Sequence, residues 1–376
     1  MAVRVGDYHL FALNTNLDLA EKVCAVLGIK ISPATATLFS NRECKVEVGV
    51  SVRGKEVFII QSGVGETEIG SVNNSLMELL ILAYHCKTAC AKKIVAIIPY
   101  LHYSTQSKMR RRSAIPAKLV ASMLCKTGIS NFITVDLHSK EIQGFYDRPV
   151  DNLRASPFLT GHIQSRIKPR GELVVVALNP HTAARATPYA ERLRVHLAVV
   201  HGRLHEDPGS DNEDDVSSPG FDECDTFDFN PSAPRRRTRT VERTSISYDT
   251  PGFLPKSKPM MYVVGDVRDK IAIIVNDLID DAQPYINAAQ VLKENGAREV
   301  HVVVTHGILS GTAPEEVESS VIDGIVLTNT VAHEEKKTRC SKIETIDISV
   351  LLAEAIRRIH NGESISFLFR NVSVDE

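Results

Sequence analysis

Short, mainly apolar blocks, three to five residues long and rich in Val and Ile, recur along the chain at 57–60, 94–98, 132–135, 173–176, 271–275, 300–304 and 325–327. Unbroken runs of this length suit strands covered on both faces, because apolar-polar alternation is expected only where one face meets water. Between several of them, apolar residues return at helical spacing, at 74–90, 117–127, 189–194, 285–295 and 350–359, and Gly128 and Gly296 stand where helix-ending glycines belong. Strand and helix in alternation predict βαβ units, and hence an α/β fold of mainly parallel sheets flanked by helices.

The pattern lapses between 203 and 259, where Pro, Ser, Asp and Glu replace the apolar positions. An acidic half (Asp211, Glu213, Asp214, Asp215, Asp222, Glu223, Asp225) precedes a basic one (Arg235, Arg236, Arg237, Arg239, Arg243). Such a stretch buries too little apolar surface to offset its ordering entropy, so a disordered insertion is expected. Its plain reading is a solvated linker; the sharper one makes Thr238, Thr240 and Ser245, beside the arginines, a kinase-accessible patch.

At 376 residues the chain is long enough for two cores. A formal charge of -2 excludes a generally basic nucleic-acid binder and leaves small anions or other proteins as partners. No apolar run approaches the roughly 18 residues of a membrane helix, and no charged-then-apolar leader opens the chain, so no membrane contact and a cytoplasmic location are expected. The 7 Cys show no C-x-x-C spacing, which favours reduced thiols over zinc or disulfides.

Chemistry is sought where strands end. Gly63-Val64-Gly65-Glu66-Thr67 lacks the Gly-Lys-Ser/Thr of a phosphate loop and reads as a turn. Asp136-Leu137-His138 follows a strand, at the edge where open α/β sheets bind ligands; His138 there is either a capping group or a contact to metal or phosphate. The loop 100–113 carries Lys108, Arg110, Arg111 and Arg112, a solvated cluster able to reach a polyphosphate. The run 271–275 continues into Asn276-Asp277-Leu278-Ile279-Asp280-Asp281-Ala282-Gln283-Pro284, which opens like a phosphate site. In place of small and hydroxyl residues it offers Asp281, an anion, and Pro284, which has no N–H. The same residues make a sound helix start, with Asp281 as cap and Pro in the first turn.

Taken together, a series of motifs resembles phosphoribosyl pyrophosphate synthetase. They include Phe39-Ser40-Asn41-Arg42-Glu43, Ser51-Val52-Arg53-Gly54, Asn74-Ser75-Leu76-Met77-Glu78-Leu79-Leu80, Asp136-Leu137-His138, Ile142-Gln143-Gly144-Phe145, Pro149-Val150-Asp151-Asn152-Leu153, Val264-Gly265-Asp266-Val267, Thr305-His306-Gly307, Asp347-Ile348-Ser349 and a closing stretch, 355–364. The match spans nearly the whole chain outside the insertion. Within the family, the insertion, the stretch 152–158 and the ending 367–372 look most like the synthetase-associated regulatory relatives.

The resemblance implies two similar type I phosphoribosyltransferase-like domains, 1–153 and 154–346, with 347–376 returning toward the first. ATP and ribose 5-phosphate would meet between them, with Mg2+ on the ATP phosphates. Phe39, Asn41 and Glu43 match adenine-contacting positions, Gln106 a nucleotide-loop position, and His138 a metal position, here vestigial. Ser51, Arg53, Ser364 and Ser366 match an allosteric phosphate site.

Against that pattern stand several departures. Thr105-Gln106-Ser107-Lys108-Met109 replaces an Arg-Gln-Asp-Lys-Lys catalytic loop. Asn179-Pro180-His181 replaces Ser-Pro-Asp, giving imidazole where magnesium prefers carboxylate oxygen. His201-Gly202-Arg203-Leu204 replaces His-Lys-Glu-Arg, so Gly202 and Leu204 remove two cations. Asn276 removes one of two carboxylates that hold ribose hydroxyls, Asp281 sets an anion where the 5-phosphate would lie, and Gln283 replaces a glycine. Phosphoryl-type transfer rests on positioned positive charge, and loss of one such group costs on the order of 10³-fold. The expected protein is therefore an inactive homologue that binds Mg2+ with ATP or ADP weakly, joins active synthetase subunits in homo- and hetero-oligomers, and restrains their output. The alternatives are an active ribose-phosphate pyrophosphokinase and an unrelated nucleotide-sensing scaffold.

Overall fold

The computed structural model describes residues 8–62, 71–109, 113–166, 172–202 and 261–369, all belonging to one compact unit. The Gly63–Thr67 turn, Arg110 to Arg112, Leu204 and the insertion lie outside the described residues.

All seven apolar blocks are strands. The first sheet has the order β1 (Tyr8–Ala12), β4 (Glu56–Ile60), β5 (Lys93–Ile98), β6 (Asn131–Val135), β7 (Val150–Leu153), and every neighbouring pair is parallel. A separate antiparallel hairpin, β2 (Ala34–Leu38) and β3 (Cys44–Val48), precedes β4. The second sheet has the order β10 (Tyr262–Val264), β9 (His196–His201), β8 (Leu173–Ala177), β11 (Ile271–Ile279), β12 (Glu299–Gly307), β13 (Gly324–Thr328), β14 (Ile343–Ile346). Only the edge pair β9 and β10 is antiparallel. Both sheets are thus α/β and parallel-dominated, as the alternation of blocks predicts.

The chain follows each strand's pleat in sorting side chains between layers. Leu10 and Ala12 of β1, Phe58 and Ile60 of β4 and Ile133 and Val135 of β6 turn inward, where they share a core with Val175 of β8, Ile273 of β11 and Val303 of β12. That core also holds buried residues of α1 (Leu17–Leu27), α4 (Ser156–Arg166), α5 (Ala183–Leu193) and α9 (Ser349–Asn361). The opposite faces build two outer cores. Phe11, Val57 and Ile59 pack with α2 (Val72–Thr88) and α3 (Pro116–Lys126). Val174, Ile274 and Val302 pack with α6 (Gln283–Glu294) and α7 (Ala313–Ser319), and a short helix, α8 (Glu334–Arg339), links β13 to β14. Burial on both faces explains why the strands read as unbroken apolar runs.

Polar contacts join the two sheets. Asn16, at the start of α1 with φ 55°, donates its side-chain amide to the carbonyls of Asn329 (2.8 Å) and Thr330 (3.1 Å). The Ser62 hydroxyl also donates to the Thr330 carbonyl. Farther along, His360 of α9 holds Glu56 of β4 at 2.9 Å, tying the last turn of the C-terminal helix to the first sheet.

Candidate functional site

The carboxyl ends of both sheets open on one cleft of about 220 Å³, part of it open to solvent, lined by Tyr100, Ser104, Asp136, His138, Asp277 and His306 among others. Strands β5, β6, β11 and β12 deliver these groups, which is where parallel sheets collect ligand-binding side chains. Asp136 sits just past β6 with φ 40°, a left-handed conformation that Asp tolerates better than most residues. Its carboxylate accepts from the Ala155 N–H (3.0 Å) and the Thr305 hydroxyl (2.9 Å). Burial raises its pKa, an effect those donors only partly offset. His306 is wholly enclosed: Nε2 faces the carbonyls of Val135 (3.1 Å) and Asp136 (3.3 Å), and Nδ1 faces the Thr330 hydroxyl at 2.9 Å. Two carbonyls at Nε2 require a proton there. Burial holds its pKa down against the pull of Asp136.

The strand β11 runs on to Ile279, so Asn276 and Asp277 belong to the sheet rather than to a loop. Asp277 is 7% exposed. Its Oδ2 lies 2.7 Å from His138 Nδ1, and Oδ1 accepts from Arg185 Nη1. Burial alone would raise its pKa, but the His138 hydrogen bond and the Arg185 charge outweigh burial and leave it lowered. Arg185 also donates Nη2 to the His138 carbonyl and Nη1 to Asn276 Oδ1 at 3.2 Å. Asn276 gives its amide to the Tyr285 hydroxyl (2.8 Å), which in turn donates to the Leu278 carbonyl.

Beyond the strand, the Asp281 carboxylate accepts the Gln283 N–H at 2.9 Å, and α6 starts at Gln283 with Pro284 in its first turn. Gln283 folds back along the helix, giving its amide to Asn287 Oδ1 at 3.0 Å. The Gln283 N–H, one of the backbone donors that a phosphate would need, is therefore met from within the chain. Gly202 has φ 138°, and a Cβ there would come 2.8 Å from the Met261 Cα, so no side chain fits in this conformation. Asn179 and Thr182 cap each other reciprocally, at 2.9 and 3.1 Å, leaving His181 on an exposed turn.

Phe39, Asn41 and Glu43 lie at the exposed tip of the β2–β3 hairpin, Thr105 and Gln106 on an exposed turn after β5, and none of them lines the cleft. Ser51 and Arg53 lie on the turn before β4, and Ser364 and Ser366, whose hydroxyls are 3.1 Å apart, follow α9. The bridge from His360 to Glu56 brings the end of α9 to the start of β4. Among the described residues, no group of three or more His, Cys, Asp or Glu side chains converges as a cation site, and no helix is long and apolar enough to cross a membrane. Sequence reasoning missed Arg185. Its signal was a cation in the first turn of a helix, where the helix dipole favours an anion.

Comparison with known proteins follows the same lines. Residues 171–370 match the phosphoribosyl synthetase-associated domain, and residues 8–128 match the N-terminal domain of ribose phosphate pyrophosphokinase. Human phosphoribosyl pyrophosphate synthase-associated protein 2 is 47% identical over 100% of this chain and 97% of its own length. Ribose-phosphate pyrophosphokinase 2 of Schizosaccharomyces pombe is 40% identical over 97% of this chain and 98% of its own. The crystal structure of phosphoribosylpyrophosphate synthetase from Mycobacterium smegmatis superposes with a TM-score of 0.75 at 30% identity, covering 95% of this chain and 99% of that one.

Proposed function

The chain belongs to the phosphoribosyl pyrophosphate synthetase family and, within it, to the synthetase-associated proteins, and from that membership we propose that it is a non-catalytic subunit that restrains active synthetase. The observation that carries the reading is the state of the strand end at Asn276 and Asp277. The one remaining carboxylate is held by Arg185 and His138, and the amide that replaces the other is held by Tyr285. Neither is left to hold ribose hydroxyls. Gly202, where family members carry lysine, has no room for a side chain. Phosphoryl-type transfer without its positioned cations lacks its main source of rate.

The similarity to a yeast pyrophosphokinase favours a second reading, an active enzyme. Both readings share the fold, so the groups at the strand ends distinguish them, and these groups support the non-catalytic one. Adenine nucleotide would bind through Phe39, Asn41, Glu43 and Gln106, with magnesium arriving on its phosphates. Phosphate or a nucleoside diphosphate would be held by Ser51, Arg53, Ser364 and Ser366. A subunit of the same architecture can take a place in a synthetase oligomer and alter how neighbouring sites close, because subunit interfaces transmit such shifts.

The test is to mix the purified chain with purified synthetase of the same organism while measuring product formation and particle mass. One mixed particle with a lowered rate is expected. Separate particles and an unchanged rate at micromolar concentration would refute the proposal, as would turnover by the chain alone within about tenfold of the 1–100 s⁻¹ usual for kinases.

A further inference from the structure

The Arg185 guanidinium makes three contacts that no surface arginine needs. It reaches Asp277 and Asn276 on β11 with Nη1, and the His138 carbonyl beyond β6 with Nη2. Two sheets are thereby tied through one side chain from a third element, α5. The position is costly on local grounds, since Arg185 stands in the first turn of its helix, where a cation opposes the macrodipole. Only a buried anion close by offsets that, and Asp277 is that anion. A carboxylate, an amide oxygen and an imidazole nitrogen face the spot where the guanidinium lies, a donor set that hard and borderline divalent cations accept.

We propose that Arg185 is a built-in cation that occupies the place of a divalent metal ion at Asp277, so that the cleft is neutralised from within and closed to metal. The fit of magnesium to a chain-held site fails here for a positive reason: the charge it would supply is already present, covalently attached and hydrogen-bonded on both sides of the cleft. Asn276 fits the same logic. With one carboxylate instead of two at the strand end, a single guanidinium balances the charge, whereas a second anion would leave room for a divalent ion. The inference deepens the non-catalytic reading, but it concerns the isolated chain and holds whether or not the chain meets a synthetase.

The experiment measures Mn2+ binding to the purified full chain by the loss of the free-ion electron paramagnetic resonance signal, with calorimetry as a second readout. The unmodified chain, Arg185→Ala, Arg185→Gln and the double variant Arg185→Ala with Asp277→Asn are compared. Circular dichroism and a thermal scan establish that each is folded. Arg185→Gln serves if the alanine variant does not fold, because glutamine keeps a donor for the His138 carbonyl while removing the charge. The unmodified chain should show no saturable site below about 1 mM. Either single variant should gain one site at least tenfold tighter, and the double variant should lose it. The proposal is overturned if folded single variants bind no more Mn2+ than the unmodified chain, or if the gained site survives Asp277→Asn. It is equally overturned if the unmodified chain binds Mn2+ through Asp277. None of these results depends on whether a mixed particle forms with synthetase, so failure of the regulatory reading remains distinguishable.

Discussion

His138 Nδ1 stands 2.7 Å from Asp277 Oδ2, a contact between a residue that follows the first sheet and one buried in the second. The Arg185 guanidinium bonds to the same carboxylate and to the backbone of the same histidine. A charged cluster therefore bridges the two sheets beside the apolar core they share, and the two members of the main ion pair differ in their access to water.

That difference predicts an asymmetry. The Arg185 side chain is 33% exposed and can turn to solvent if its partner is removed, but that of Asp277, 7% exposed, cannot. Arg185→Ala should destabilise the chain by about 3 kcal/mol, because it leaves the buried carboxylate with His138 as its remaining side-chain partner. Asp277→Ala should cost about 1 kcal/mol, because the remaining cation is partly hydrated. Urea denaturation of both variants checks this; equal losses, or the reverse order, would contradict it.

A second prediction concerns acid. His102 is buried beneath α2, with Nε2 3.5 Å from the Ser75 hydroxyl, and burial lowers its pKa to about 4. The unfolded chain binds a proton near the ordinary histidine value, while the folded chain resists it. Stability is unaffected above about pH 7 and falls as pH drops from about 6.5 toward 4, by up to about 3 kcal/mol from this residue. His102→Gln should lose correspondingly less stability over that interval in denaturation curves taken at several pH values. Parallel pH profiles for the two proteins would show that the residue is not responsible.

Asn16 combines a left-handed backbone with two donations to buried carbonyls. Asn16→Ala should cost about 2–4 kcal/mol, from the two abandoned acceptors and backbone strain. Asn16→Gly removes the strain but not the loss of donors, so it should be about 1 kcal/mol less damaging. Thermal unfolding of the pair separates the contributions, and an alanine variant as stable as the glycine one would count against the strain.

Placing at Gly202 the lysine that the resemblance to active synthetases implies there should not restore chemistry. A Cβ there meets the Met261 backbone at 2.8 Å, and φ of 138° disfavours any side chain. Gly202→Lys should destabilise by about 1–3 kcal/mol and leave turnover undetectable in a product assay. Measurable synthesis by this variant alone would show that the site needed only one cation.

The proposed phosphate site yields a fifth expectation, to be measured in the mixed complex with synthetase. Arg53→Ala should weaken phosphate or ADP binding about tenfold or more, as loss of a charge-assisted hydrogen bond would. Unchanged calorimetric affinity would remove Arg53 from the site.

Much of this architecture was legible in sequence because burial on both faces leaves a plain signature: Ile94 to Ile98 and Ile271 to Val275 could hardly be anything but strands. The short or half-exposed elements were not. β2, with Thr35 and Thr37 facing water, and β10, only three residues long, carry no comparable run. The helix α5 was seen only from Tyr189, because Pro188 interrupts its helical period, although the helix begins at Ala183. That shortening hid Arg185. Which groups stand replaced, at Asn276, Gly202 and His181, was implied by the resemblance to the synthetase family and not by composition or spacing. What fills a site after such losses depends on side chains brought from distant segments, as with Arg185, His138 and Asp277, and no local pattern encodes their meeting.

The edge of the second sheet has a consequence for tolerance to length. Tyr262 lies opposite His201, Val263 opposite Val200 and Val264 opposite Val199, so the chain leaves the sheet and re-enters it at adjoining points. For a tether whose ends are already together, each doubling of contour adds only about 0.6 kcal/mol of closure entropy. The two points at which the chain leaves and re-enters the sheet would therefore accept a flexible linker of almost any length. Drift in that length meets little thermodynamic resistance, and the join is a natural graft point at which a foreign module or a fluorescent reporter could replace the native span.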